Sequence, residues 1–158
     1  MSAAVASEPE ASVTVALAGV LLLILGMLVS LGGLALLVLG AFARTAIDDA
    51  IRNGNLSSYS ADIISFVEGV IVVFGVVVLL YGLGELVAGI GVLRKRGWGR
   101  VLGIVLAAVA GLFTTFGVLG SMRNADARGG LIVLLVFALA YWFIVGALAL
   151  GGRAFRHG

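Results

Sequence analysis

Residues 69–93 read GVIVVFGVVVLLYGLGELVAGIGVL, and sixteen of them are Leu, Ile, Val or Phe around a single charged side chain, Glu85. On the translocon insertion scale each of those apolar residues contributes roughly −0.3 to −0.6 kcal/mol, whereas a central acid costs about 3 kcal/mol. The stretch therefore partitions into lipid despite its glutamate. A hydrocarbon layer about 30 Å thick needs roughly 20 apolar residues in an α-helix. Upstream, the apolar run extends back to about Ile63, and a second one covers about Val13 to Ala43. Downstream, Val101 to about Gly120 and Leu131 to about Leu150 meet the same requirement.

The expected fold is all-α: a membrane-embedded, antiparallel four-helix bundle with spans at about 13–43, 63–93, 101–120 and 131–150, making one domain of residues 1–158. At a rise of ~1.5 Å per residue the first two spans reach about 46 Å, so they tilt or project beyond the bilayer. Composition agrees. The 158 residues are 62% hydrophobic and 11% charged, with 24 Gly and no Cys, against roughly 45–50% apolar and about 25% charged in soluble domains. A disordered chain, a disulfide-stapled module and a cytosolic nucleotide enzyme are all disfavoured.

Residues 1–12 are expected to form a flexible tail, which holds Glu8 and Glu10 but no Lys or Arg. A signal peptide has a basic start and a shorter apolar run, so the first span is expected to be retained. Residues 44–62 are expected to form an outer loop. Within it, Thr45-Ala-Ile-Asp48 has capping-box spacing, and Asn53-Gly54 supplies a helix stop. A short helix at about 46–53 is expected, separate from span one or continuous with it, and Ser60 or Asp62 is expected to cap span two. Asn55-Leu56-Ser57 matches a glycosylation acceptor, although a chance match is the preferred reading. Residues 151–158 are the expected C-terminal tail.

Basic residues set the orientation. Arg94, Lys95, Arg96 and Arg100 sit between spans two and three, and Arg153 and Arg156 lie in the tail, against Arg44, Arg52, Arg123 and Arg128 on the opposite side. This bias places both termini and the 94–100 loop in the cytoplasm, where the basic loop would contact anionic headgroups. Trp98 suits a headgroup-level anchor.

Glycines recur every seven residues: Gly19, Gly26, Gly33 and Gly40 in span one, then Gly75, Gly82 and Gly89 in span two, with Gly84 and Gly91 as a parallel pair. A seven-residue repeat keeps one helix face aligned, and small residues on it let backbones approach closely. Two occupants of that face are open: the neighbouring span of the same chain, which is preferred, or a second copy. Span three continues the register with Gly103, Ala110 and Gly117, and span four carries Ala138, Ala140, Ala147 and Ala149 around Gly146.

Two sets of polar residues are candidate sites. Arg44 and Glu68 continue the glycine faces at one end of spans one and two, as an ion pair or as two solvated charges. Glu85 lies nine residues before Arg94, about 14 Å along the helix from the basic loop. Carboxyls at that depth face the bundle interior and mark proton or ion pathways, and an apolar setting favours the neutral form, which donates a hydrogen bond. Tyr81 is one turn away, and Tyr141 and Trp142 on span four are the expected partners. The readings are a structural hydrogen bond between spans two and four or a protonatable site serving transport.

No metal, haem or iron–sulfur ligand set is expected, since the one His is His157 and Cys is absent. No P-loop, dinucleotide fingerprint or nucleophile elbow stands in a usable context. Catalytic residues, cofactors and nucleic-acid binding are not expected.

The segment Gly91-Val-Leu-Arg-Lys-Arg-Gly-Trp-Gly-Arg-Val-Leu-Gly-Ile104, within residues 85–110, resembles uncharacterised small four-span integral membrane proteins of bacteria. The resemblance implies a bacterial inner-membrane protein and no particular activity. The chain differs from claudin-like proteins, which carry a Trp and paired cysteines in their first outer loop. It also differs from small multidrug exporters, whose essential acid lies in the first span. The expected role is a non-enzymatic accessory or scaffold protein acting on lipid, on other membrane proteins or on itself; the alternative is a small transporter or channel subunit that uses Glu85.

Overall fold

The computed structural model describes residues 8–54, 58–122 and 128–152. The Asn55–Ser57 tripeptide, Arg123, and the tail residues Arg153, Arg156 and His157 lie outside them. The described residues form four helices and no strand: α1 (Glu8–Arg52), α2 (Ser58–Leu93), α3 (Gly97–Met122) and α4 (Arg128–Leu150). All four are long and apolar enough to cross a membrane. The chain thus has the build of a multi-pass membrane protein with an all-α bundle.

Helix boundaries depart from the expectations at several places. α1 begins at Glu8, so residues 8–12 are helical rather than part of a tail. Pro9 is tolerated there because first-turn N–H groups have no intrahelical acceptor. At its other end α1 runs unbroken to Arg52, so of the two readings of the 46–53 helix the continuous one holds. Thr45 is the reason no new helix starts: its hydroxyl donates back to the Phe42 carbonyl at 2.8 Å instead of capping forward amides, and neither Gly nor Pro interrupts residues 41–52. The stop falls where glycine permits it, with Gly54 at φ 68° and its N–H on the Ile51 carbonyl. α2 starts at Ser58, which puts Ser60 and Asp62 inside the helix rather than at its cap.

The chain falls into two compact units: Gly26–Leu83, and the remainder made of residues up to Leu25 with those from Gly84 onward. The Gly26–Leu83 unit is an antiparallel helical hairpin. A Cβ placed on Gly82 would lie 2.8 Å from the Gly26 carbonyl oxygen, one on Gly33 would lie 2.9 Å from that of Gly75, and one on Gly40 would meet Val72 at 2.8 Å. The seven-residue stripes of the two helices thus face each other at backbone contact, so the neighbouring span occupies this face. Away from that seam the apolar stretches of the hairpin are bare, with Phe42 69% and Phe66 73% exposed, and exposed charges such as Arg44, Asp48 and Asp62 lie toward its connected end.

The other unit joins all four helices. Its core comprises Val15, Ala18, Leu22 and Leu25 of α1, Ala88 and Val92 of α2, Ala107 of α3, and Tyr141, Ile144, Ala147 and Leu148 of α4. Three close approaches organise it. Gly89 of α2 faces Leu23 and the Gly19 carbonyl of α1; Gly91 of α2 and Gly99 of α3 touch backbone to backbone; and Gly103 of α3 admits Leu148 and Leu22. On α3 the buried positions include Gly99, Gly103, Ala107 and Gly111. Their spacing of four replaces the expected register of Gly103, Ala110 and Gly117, in which Ala110 is only half-buried. Spacing by four keeps small residues on one face over three turns, the arrangement of close membrane-helix crossings.

Between α2 and α3 the chain turns in three residues. Lys95 N–H reaches the Val92 carbonyl at 2.9 Å and Arg96 N–H that of Gly91 at 2.9 Å, with Lys95 left-handed at φ 53°. This is a Schellman stop, in which the two amides satisfy carbonyls that the helix end leaves open. Trp98 and Arg100, expected in the loop, stand in the first turn of α3.

Candidate functional site: a buried carboxyl in the four-helix unit

Glu85 belongs to the four-helix unit and has 0% of its surface exposed, the one charged residue among those buried in the described part of the chain. Helical spacing explains its position. It is three residues before Ala88 and seven before Val92, both fully enclosed, so it stands on the inward face of α2. Between Glu68 and Arg94 no other charged side chain occurs on α2.

Tyr141 of α4 is 2% exposed and its hydroxyl interacts with the Glu85 carboxyl. The contact falls short of a well-directed hydrogen bond, and both carboxyl oxygens are left without one. Tyr141 is itself held by packing: its ring lies 6.5 Å from that of Phe137, tilted by 39°, and its Cβ lines the space over Gly111. Of the expected partners, then, the fold brings Tyr141 to Glu85. Tyr81 is half-buried and belongs to the hairpin unit.

Trp142 is placed differently from its expected role. It is 45% exposed, and its indole N–H donates to the Thr115 hydroxyl at 3.1 Å, whose own proton goes to the Gly111 carbonyl at 2.6 Å. Consecutive residues on a helix point about 100° apart, so Tyr141 and Trp142 cannot both face Glu85. Thr115 is a polar partner that motif and spacing arguments pass over; its signal is the Thr114-Thr115 pair, two adjacent hydroxyl side chains within an apolar span.

The basic residues separate into two roles. Arg94, Lys95 and Arg96 are exposed, as a headgroup contact requires. Arg100 turns inward: its Nε donates to the Leu148 carbonyl at 2.8 Å and its Nη2 to that of Ala149 at 3.0 Å. These are last-turn carbonyls of α4 that have no intrahelical donor. A planar, permanently charged fork suits them, and its charge opposes the negative end of the helix dipole. Arg100 thus caps the end of α4.

Arg44 is exposed and Glu68 half-buried. The hairpin register, with Gly40 beside Val72, carries Arg44 to the level of Glu68, yet no ion pair joins them among the described residues. No group of His, Cys, Asp or Glu among the described residues could hold a metal ion. An open apolar cleft of about 420 Å³ lies elsewhere, lined by Thr14, Phe143, Gly146, Ala147, Leu150 and Gly151. No family of known proteins, curated protein or solved structure matches this chain.

Proposed function

We propose that this is a non-enzymatic membrane protein that works through contacts with lipid and with other membrane proteins, as an accessory or scaffold subunit. The observation that carries the reading is the hairpin unit: two apolar helices sealed to each other by glycine, with large side chains such as Phe42, Phe66 and Val73 turned outward. In water such a surface would drive aggregation; in a bilayer it serves lipid or a neighbouring helix. We place the protein in a bacterial cell membrane, in keeping with its resemblance to small four-span bacterial proteins. Both termini and the Arg94–Arg96 turn are assigned to the cytoplasm. The meeting of Val15 with Gly151 and of Arg100 with Leu148 in the four-helix unit supports a shared side for the helix ends involved.

The chain has no Cys, so single cysteines introduced at Ser2, Asn53 and Lys95 report sidedness without background. Ser2 and Lys95 should label together, and Asn53 from the opposite face. Photo-crosslinkers at Phe42 and Phe66 should capture a defined membrane protein; adducts to lipid alone would remove the scaffold reading. A second reading, a small transporter or channel subunit, is favoured by the buried carboxyl of Glu85. Solute flux in reconstituted vesicles that disappears in Glu85→Gln would establish it.

A further inference from the structure

We infer that Glu85 is a proton-binding site: the closed four-helix unit holds its carboxyl with the proton on, and releasing that proton requires the contact with Tyr141 to open. The argument starts from what surrounds the group. Its side chain is entirely enclosed and neither oxygen has a hydrogen-bond partner. A carboxylate is stable in an apolar interior only with a counter-ion or several donors, and an isolated one there is far costlier than the neutral acid.

No such counter-ion is within reach along any of the four elements. Between Glu10 and Arg44 on α1, between Arg100 and Arg123 on α3, and between Arg128 and Arg153 on α4, the sequence has no Asp, Glu, Lys, Arg or His. On α2 the nearest cation is Arg94, about 14 Å away along the helix. Arg100, the other cation of this unit near the core, is committed to the carbonyls of Leu148 and Ala149. Tyr81, a phenol, lies four residues before Glu85 on α2, and the titratable group that interacts with the carboxyl is Tyr141, a neutral phenol. It can give one hydrogen bond to a carboxylate or take one from the acid, but it cannot neutralise a charge.

The bound species is therefore a proton rather than a metal cation, which would need several oxygen ligands where the described residues present no such cluster. Deprotonation leaves a charge that only water or movement of α2 away from α4 can solvate. The inference gives the transport reading its coupled species, yet it stands on the chemistry of one carboxyl rather than on flux.

The test uses the full chain in lipid nanodiscs at neutral pH. Infrared spectra should show a protonated-carboxyl C=O band in the wild type that vanishes in Glu85→Gln and shifts in Tyr141→Phe. Should Glu85→Gln fail to fold, Glu85→Asp keeps the carboxyl and should move the band instead of removing it. Dicyclohexylcarbodiimide, which adds across protonated carboxyls in apolar surroundings, should give one adduct at Glu85 that sodium and potassium do not suppress. Absence of the band, or protection of Glu85 by either cation, overturns the proposal. A present band with no flux would remove transport while leaving the proton site in place.

Discussion

Alanine at Gly33 and alanine at Gly32 are the same chemical change on adjacent residues of one helix, and the structure expects them to behave differently. A Cβ on Gly33 would sit 2.5 Å from the Leu79 backbone nitrogen, 2.7 Å from its Cα and 2.9 Å from the Gly75 carbonyl oxygen, whereas one on Gly32 meets nothing within 4 Å. The opposing atoms are backbone, so no rotamer relieves the clash. Restoring ordinary separations of about 3.5 Å means parting α1 and α2 in the hairpin by about 1 Å. A gap of that size forfeits a quarter to a half of each ~0.1–0.2 kcal/mol atom-pair contact, or roughly 1–3 kcal/mol over some tens of pairs, in line with measured overpacking costs of about 1–3 kcal/mol. The gain in helix propensity from Gly to Ala is common to both variants and cancels in the comparison. Reversible unfolding in mixed micelles, followed by circular dichroism, should therefore place Gly33→Ala below Gly32→Ala by that margin. Equal stabilities within about 0.5 kcal/mol, the scatter expected of independent surface changes, would refute the backbone-contact account of the hairpin.

Three further outcomes follow from local geometry. Lys95 holds a left-handed conformation at φ 53°, so Lys95→Gly should stabilise the four-helix unit by about 1 kcal/mol, read as a higher unfolding midpoint. Arg100→Lys loses the fork that caps α4 and should cost about 1–2 kcal/mol after allowing for partial exposure, with faster amide exchange in the last turn of α4; unchanged exchange would show the cap to be idle. Arg44→Glu and Glu68→Arg should be additive within about 0.5 kcal/mol in a double-mutant cycle, because no ion pair joins the two residues. Recovery of stability in the double variant would show that they pair in the membrane.

Much of the architecture is legible in the amino-acid sequence, because lipid is a severe solvent. A run of apolar residues long enough to cross it has to satisfy its own backbone, and only a helix does so within one segment. The four spans, their alternating direction and the inward placement of Glu85 follow from that constraint and from side-chain period. Glycines at intervals of seven mark the face on which two such rods can approach, which is why Gly33 and Gly75 of the hairpin and Gly19 and Gly89 of the four-helix unit meet.

Other features depend on atoms far apart in the chain. The spacing of four on α3, rather than seven, is decided by which neighbours Gly99 and Gly103 have to admit. The capping of α4 by Arg100 requires carbonyls 48 and 49 residues away to arrive within its reach. The choice of Tyr141 over Trp142 as the neighbour of Glu85 turns on the rotation of α4 about its own axis. Composition and periodicity determine that a segment is buried in lipid and which face is narrow; rotation, register and the partners of individual polar atoms are set only when helices pack, because those depend on distances between segments that no local pattern encodes.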